Sequence, residues 1–147
     1  MNGINKKNIF KIYLIDALVP NASHGAEIFQ EGSTTFYLNH WLPSGHTIAM
    51  WGNNQVDRGF NNNLPIIFPG DEFAINSNVK IWPKDSLLLK FTLINDFKSK
   101  KIIKSIHDEF IKFPFDFKFH SVKLELINFS NDETRFNEII FEKVTKI

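Results

Sequence analysis

The chain has 147 residues and is nearly neutral, because 17 Lys and Arg residues oppose 16 Asp and Glu residues. This balance argues against a nucleic-acid-binding domain, and a hydrophobic content of 43% excludes a disordered or fibrous chain. The length fits one domain with one core, so we expect residues 1–147 to form a single domain.

The sequence contains no cysteine. It therefore has no disulfide and no thiolate ligand or nucleophile, which suits a reducing compartment. The apolar run from Ile9 to Val19 is interrupted by Lys11 and Asp16 before it could form the core of a signal peptide. Nowhere do about 18 consecutive apolar residues form a membrane span. We expect a cytoplasmic protein that does not cross the membrane.

The first predicted element is a strand in which Phe10, Ile12 and Leu14 alternate with Lys11 and Tyr13. Further segments rich in Phe and β-branched residues, separated by turn residues, predict additional strands. In chain order the predicted strands are 10–16, 34–39, 46–51, 64–68, 72–78, 87–94, 101–106, 121–128 and 136–144. The alternation is clearest in 87–94 and 121–128.

Proline and glycine mark reversals between these strands. Pro43-Ser44-Gly45 and Pro69-Gly70-Asp71 combine a fixed proline φ with a glycine that tolerates positive φ, so each predicts a turn. The lysines at 98, 100, 101 and 104 predict a solvated hairpin end in preference to a phosphate-binding site.

A phenylalanine-rich segment lies between the last lysines and the final strands. Phe110 and Phe113 are three residues apart, which leaves one helical turn within 108–113 open, and Pro114 would end it. Alternating Phe residues from 113 to 119 then predict an extended core segment. Short strands without a long amphipathic helix predict an all-β fold, a two-layer antiparallel β-sandwich of jelly-roll type.

Candidate catalytic and metal-binding residues form no convincing set. No two of the five histidines have the spacing that places two imidazoles on one helical turn, although His40 and His46 could face each other across a tight turn and leave a weak metal site open. Asp71-Glu72 leaves a structural calcium ion open, but the acidic run is too short for a dedicated loop. Ser44 lies in a turn and not in a nucleophile elbow. We predict no enzyme activity, no metal and no cofactor.

The tryptophans indicate binding. Trp41, Trp51 and Trp82 lie at predicted strand ends or beside proline, and Trp51 opens a stretch rich in Asn and Gln. Flat aromatic faces beside amides suit sugar rings and their hydroxyl groups. Alternatively, the tryptophans are core or interface anchors. The predicted partner- or glycan-binding residues are Trp41, Trp51, Asn53, Asn54, Gln55, Arg58 and Phe60.

A stretch from Pro43 to Gly70 carries a resemblance to a known family. It contains Pro43-Ser44-Gly45, a Trp at 51, Asn53-Asn54-Gln55, an Arg at 58 and Leu64-Pro65-Ile66-Ile67. In order and spacing it resembles the family of the small Asp subunit, Asp-three, of the bacterial accessory Sec system. That family typically has leucines at the positions of Ile66 and Ile67 and an aromatic residue at that of His24. Weaker similarity extends from Ile12 to Phe141.

The resemblance implies a cytoplasmic, non-enzymatic component of the apparatus that exports serine-rich-repeat glycoprotein adhesins, at most peripheral to the membrane through its partners. The implied partners are the two larger Asp proteins, the accessory SecA motor ATPase and the glycoprotein substrate, with glycan contact left open. The implied fold is similar to carbohydrate-binding modules. The alternative from another class is a stand-alone carbohydrate-binding, lectin-like domain.

Overall fold

A computed structural model describes residues 9–23, 25–52 and 64–144. Over these residues it contains one short helix, α1 (Pro20–Ser23), and ten strands. The strands are β1 (Ile9–Ile12), β2 (Glu27–Glu31), β3 (Thr34–Leu38), β4 (Thr47–Gly52), β5 (Glu72–Trp82), β6 (Leu87–Ile94), β7 (Ser99–Ser105), β8 (Phe110–Lys112), β9 (Ser121–Asn128) and β10 (Glu133–Lys143). No helix in the described ranges is long and apolar enough to cross a bilayer.

The described strands form two antiparallel sheets. In the large sheet the order is β2-β3-β10-β5-β8, and β1 also pairs with β10. In the small sheet the order is β4-β9-β6-β7. The order β3-β10-β5-β8 packed on β4-β9-β6-β7 is that of a jelly roll. The structure therefore confirms the predicted all-β, two-layer antiparallel β-sandwich.

The core lies between the two sheets and is built from the alternate residues of each strand. Leu89, Phe91 and Leu93 of β6 are buried, and the ring of Phe91 meets that of Phe141 on β10 edge-on, with centroids 6.2 Å apart. Phe10 stacks on Phe141 at 4.7 Å, as its predicted inward position requires. Burial of each such side chain contributes about 1.5–3 kcal/mol, which is why the period-two pattern determines the fold.

The two edges of the small sheet are protected in different ways. The outer edge of β4 is covered by the preceding chain, because Val19 N donates to Ile48 O at 2.9 Å and Met50 N donates to Ala17 O at 3.0 Å. The other edge, β7, carries exposed lysines, which oppose pairing with another sheet. β7 forms a hairpin with β6; of the lysines predicted at the hairpin end, Lys98 lies in the turn, whereas Lys100, Lys101 and Lys104 lie along β7.

Most predicted strands are present with shifted ends. The predictions 87–94 and 121–128 coincide with β6 and β9. The prediction of a strand at 64–68 is wrong, because this segment forms no strand. Its buried residues Leu64 and Ile67 are three positions apart, whereas a half-buried strand would bury every second residue. β2 and α1 were not predicted.

The phenylalanine-rich segment also differs from its prediction. Residues 108–113 form no helical turn; Phe110 and Ile111 instead pair with β5 in the short strand β8. Phe113 and Phe119 are buried as predicted, but Phe115 is 78% exposed and the segment is not a strand. Spacing alone could not separate a helical turn from a short edge strand here.

Candidate interaction surface

The loop between β3 and β4 displays Trp41, whose side chain is 77% exposed. Asn39 holds this loop, since its Nδ2 donates to Leu42 O at 3.2 Å and its Oδ1 accepts from Leu42 N at 2.9 Å. The buried Asn128 adds bonds from Nδ2 to Leu42 O and Pro43 O at 2.8 and 3.0 Å. Trp41 is therefore an exposed aromatic residue on a hydrogen-bonded loop.

Trp51, in contrast, lies in the core with no exposed surface. Its Nε1 donates to Tyr13 O at 3.2 Å, and its ring packs 6.3 Å from that of Phe136. It points inward because it pairs with Leu124 of β9, which is fully buried. The prediction of Trp51 as a partner- or glycan-binding residue is therefore wrong, and for this residue the core alternative holds.

The remaining predicted contact residues lie outside the described residues. They are Asn53, Asn54, Gln55, Arg58 and Phe60. Their role in binding stays a prediction.

An exposed row of stacked side chains crosses the outer face of the large sheet. Phe29 of β2 pairs with Phe36 of β3, and Phe36 pairs with Arg135 of β10. The rings of Phe29 and Phe36 are parallel, with centroids 4.6 Å apart. The guanidinium carbon of Arg135 lies 5.6 Å from the ring centroid of Phe36 and 5.0 Å from that of Trp82. We call Phe29, Phe36, Arg135 and Trp82 the outer row.

The outer row is accessible to a large ligand. Phe29 and Trp82 are 53% and 43% exposed, respectively. Arg135 is fixed between Phe36 and Trp82, and its Nε lies 3.1 Å from Glu133 Oε2. Exposed aromatic side chains grouped with an arginine are typical of binding surfaces.

Two depressions flank Arg135. The smaller, which we call the aromatic slot, has a volume of about 160 Å³ and is lined by Phe29, Phe36, Leu38, Glu133 and Arg135. The larger, which we call the bulge groove, has a volume of about 430 Å³ and is lined by Thr34, Ser77, Asn78, Val79, Lys80, Arg135 and Asn137. It lies at the β-bulge between Phe136 and Glu138, where the edge of β10 changes its partner from β3 to β1. Arg135 is shared by both depressions.

Sequence reasoning missed Phe29 and Arg135. A signal for Phe29 exists, because Gly32-Ser33 between two short apolar segments is typical of a two-residue hairpin loop, which would place Phe29 near Phe36. Arg135 has no comparable local signal, since Phe36 and Trp82 are far from it in sequence.

The polar residues considered as metal ligands have other contacts. Among the residues that the structure describes, no group of three or more His, Cys, Asp or Glu could hold a metal ion. His40 Nε2 lies 2.6 Å from Glu27 Oε2. Asp71 accepts a hydrogen bond from Phe68 N at 2.9 Å and forms an ion pair with Lys143 at 3.3 Å. Asp71 thus closes a turn.

A family profile described as "Accessory Sec secretory system ASP3" matches residues 22–143. The chain belongs to this family. The match spans β2 through β10 and therefore includes the small sheet, the large sheet except β1, the Trp41 loop and the outer row. The role of the chain is in accessory Sec export, and the resemblance found in the sequence is confirmed.

Solved structures show the same fold. One, titled "Crystal structure of accessory secretory protein 1,2 and 3 in Streptococcus pneumoniae", has a TM-score of 0.75 and 15% identity over 97% of this chain and 100% of that chain. Another, titled "Glycosylation Associate Protein (Gap123) complex from Streptococcus agalactiae", has a TM-score of 0.77 and 21% identity over 95% of this chain. This chain covers 46% of that one.

A third structure, titled "CBM4 structure and function", aligns with a TM-score of 0.31 and 11% identity. That score carries no argument about carbohydrate binding. No curated protein matches the chain.

Proposed function

We propose that this chain is a non-enzymatic, protein-binding subunit of an accessory Sec assembly. The match of residues 22–143 to the family carries the proposal. The proposed partners are the two larger Asp proteins, and the pneumococcal structure titled with proteins 1, 2 and 3 supports this choice. We also predict binding to the accessory SecA ATPase and to the serine-rich-repeat glycoprotein. We predict a cytoplasmic location in which partner proteins hold the chain at the membrane periphery.

Two surfaces support a binding role. The Trp41 loop presents a largely exposed indole, and the outer row presents stacked aromatic rings beside a fixed arginine. Aromatic and arginine side chains dominate the energetics of protein interfaces. Asn53, Asn54, Gln55, Arg58 and Phe60 belong to the proposed contact residues as well.

Co-expression with the two larger Asp proteins tests this function. We expect the three chains to copurify and to sediment as one species at micromolar concentration. A chain that sediments alone would overturn the proposal. Trp41→Ala should weaken assembly by about 2 kcal/mol if this indole is an interface anchor. Phe97 lies at the tip of the β6–β7 hairpin, and its side chain is 92% exposed. Phe97→Ala is therefore the matched control and should leave assembly unchanged.

A second candidate function is carbohydrate binding, favoured by the aromatic rings of the outer row on one side of Arg135 and the amides of Asn78 and Asn137 in the bulge groove on the other. Aromatic faces and amide groups are the usual means of binding sugar rings and hydroxyls. Tryptophan fluorescence during titration with N-acetylglucosamine-containing glycans tests it. A shift that Trp82→Phe abolishes and Trp41→Phe preserves would place the sugar on the outer row, and no shift at millimolar sugar would remove this function.

A further inference from the structure

Contacts with described residues orient the guanidinium of Arg135 but engage only some of its hydrogen-bond donors. Its faces contact Phe36 and Trp82, and its Nε bonds to Glu133. Neither terminal Nη atom forms a hydrogen bond with another described residue. Toward the described residues, Arg135 therefore keeps free Nη donors in a plane oriented by Phe36 and Trp82, and such a planar guanidinium binds a carboxylate through two parallel hydrogen bonds.

The bulge groove beside Arg135 favours negative charge. Its lining includes Lys80, which pairs with Arg135 across β5 and β10 and is exposed, and it includes no Asp or Glu. Asn78 and Asn137 add amide groups to the lining. The one carboxylate paired with Arg135, that of Glu133, lines the aromatic slot on the other side. The charge distribution thus assigns the acidic part of a ligand to the groove.

The aromatic slot favours an apolar group. Phe29 and Phe36 form a continuous stacked surface, and Leu38 completes the apolar lining. A ligand that covers both depressions therefore needs a carboxylate on one side of Arg135 and a flat apolar group on the other. An extended peptide with an acidic and an aromatic side chain supplies both, because neighbouring side chains on one face of a strand are spaced by two residues.

We propose that the outer row and the bulge groove form a docking surface for an acidic, aromatic-containing segment of a partner protein, with the partner carboxylate on Arg135 and Lys80. This inference rests on the proposed function, because it takes the partner to be one of the two larger Asp proteins. A neutral glycan would use the same rings but would not require two cations beside them.

Affinity measurements with the full-length larger Asp proteins test the docking surface. Arg135→Gln should weaken binding by about 10- to 100-fold, the usual range for a bond to a charged group. Arg135→Lys should also weaken it, because lysine keeps the charge but loses the planar fork and the ring contacts. Lys101→Gln on the exposed edge strand β7 is the matched charge control and should bind like the unmodified chain.

Salt dependence and folding complete the test. Raising the NaCl concentration should weaken binding of the unmodified chain more than that of Arg135→Gln, because an exposed ion pair is screened. Equal unfolding midpoints for both chains would show that the variant is folded. Lys80→Gln provides a second variant, because the Lys80 side chain forms no hydrogen bond or ion pair with another residue that the structure describes.

The outcomes separate the two proposals. If the unmodified chain binds but Arg135→Gln and Lys80→Gln bind equally well, the docking surface is overturned and the protein-binding function stands. If the unmodified chain binds neither Asp protein, both are overturned. If Arg135→Gln loses only binding to a neutral glycan, the docking surface is likewise overturned.

Discussion

The indole of Trp41 covers Gly25 so closely that a Cβ added at position 25 would lie 2.5 Å from Cδ1 of the ring. Gly25 also has a φ of +82°, a conformation that side chains with a Cβ rarely adopt. The indole of Trp41 thus packs directly against the backbone of Gly25, a position that only glycine fits. Two separate causes, backbone strain and steric contact, require glycine at this position.

Gly25→Ala should destabilise the fold by about 1–3 kcal/mol through strain and should also displace the indole of Trp41. Gly32→Ala isolates the strain, because Gly32 has a φ of +62° with no atom within 4 Å of an added Cβ. Urea unfolding and tryptophan emission spectra measure the two effects. Identical spectra and stabilities for the two variants would contradict the Trp41–Gly25 contact.

Replacement of Trp41 and replacement of Trp51 should change the free energy of unfolding by very different amounts. Trp51→Ala removes a fully buried ring and should cost about 3–5 kcal/mol in the free energy of unfolding. Trp41→Ala removes a mostly exposed ring and should change it by less than about 0.5 kcal/mol. Chemical denaturation measures both values, and comparable losses would show that Trp51 is not the core residue described above.

Asn131 connects several loops at one end of the sandwich. Its Nδ2 donates to Ser86 Oγ at 2.8 Å and to Glu133 O at 3.1 Å, its Oδ1 accepts from Thr134 Oγ1 at 2.9 Å, and its backbone N donates to Asn128 Oδ1 at 2.8 Å. It is 2% exposed, so its loss leaves buried polar groups without partners.

We expect Asn131→Ala to reduce the free energy of unfolding by about 2–4 kcal/mol. The same replacement at the exposed Asn78 is the control and should cost less than about 0.5 kcal/mol. Thermal and urea unfolding measure the difference. A loss below about 1 kcal/mol for Asn131→Ala would mean that water replaces the missing bonds.

Tyr37 should make stability decrease at alkaline pH. Burial raises the pKa of this phenol to about 12 from its ordinary value near 10, and its hydroxyl donates to Ala22 O at 2.7 Å. Because the folded state holds the proton more tightly, the contribution is complete below pH 10 and is lost as the pH rises from about 10 to about 12.

The comparison with Tyr37→Phe measures this contribution. At neutral pH the variant should be less stable by about 1–2 kcal/mol, because the carbonyl of Ala22 loses its buried donor. The difference should shrink as the pH rises through the stated window, because Tyr37→Phe removes the titrating phenol. A difference for Tyr37→Phe that does not depend on pH would contradict the burial effect.

The sandwich could be predicted from sequence because its central strands alternate regularly. β6 and β9 each place Leu, Val or Phe at every second position toward the core, and both were predicted to the residue. The edge strands β2 and β8 of the large sheet could not be predicted in this way. β2 contains only Ile28 and Phe29 as apolar residues, and Phe29 faces solvent as part of the outer row.

The candidate site was harder to predict than the fold. Trp41 and Trp51 both lie near strand ends in the sequence, but only pairing with Leu124 shows that Trp51 faces inward. Arg135 became recognisable only after three strands had placed Phe36 and Trp82 on either side of it. Local patterns report periodicity, whereas this site depends on contacts between residues distant in the chain.

The position of β10 has a consequence for biosynthesis. This strand, residues 133–143, is the neighbour of β1, β3 and β5 in the large sheet, although it is translated after all of them. A ribosome adds roughly 5–20 residues per second, so β10 is synthesised several seconds after these three strands. During that interval their apolar faces are exposed, and a chaperone that shields nascent chains would increase the yield of folded protein.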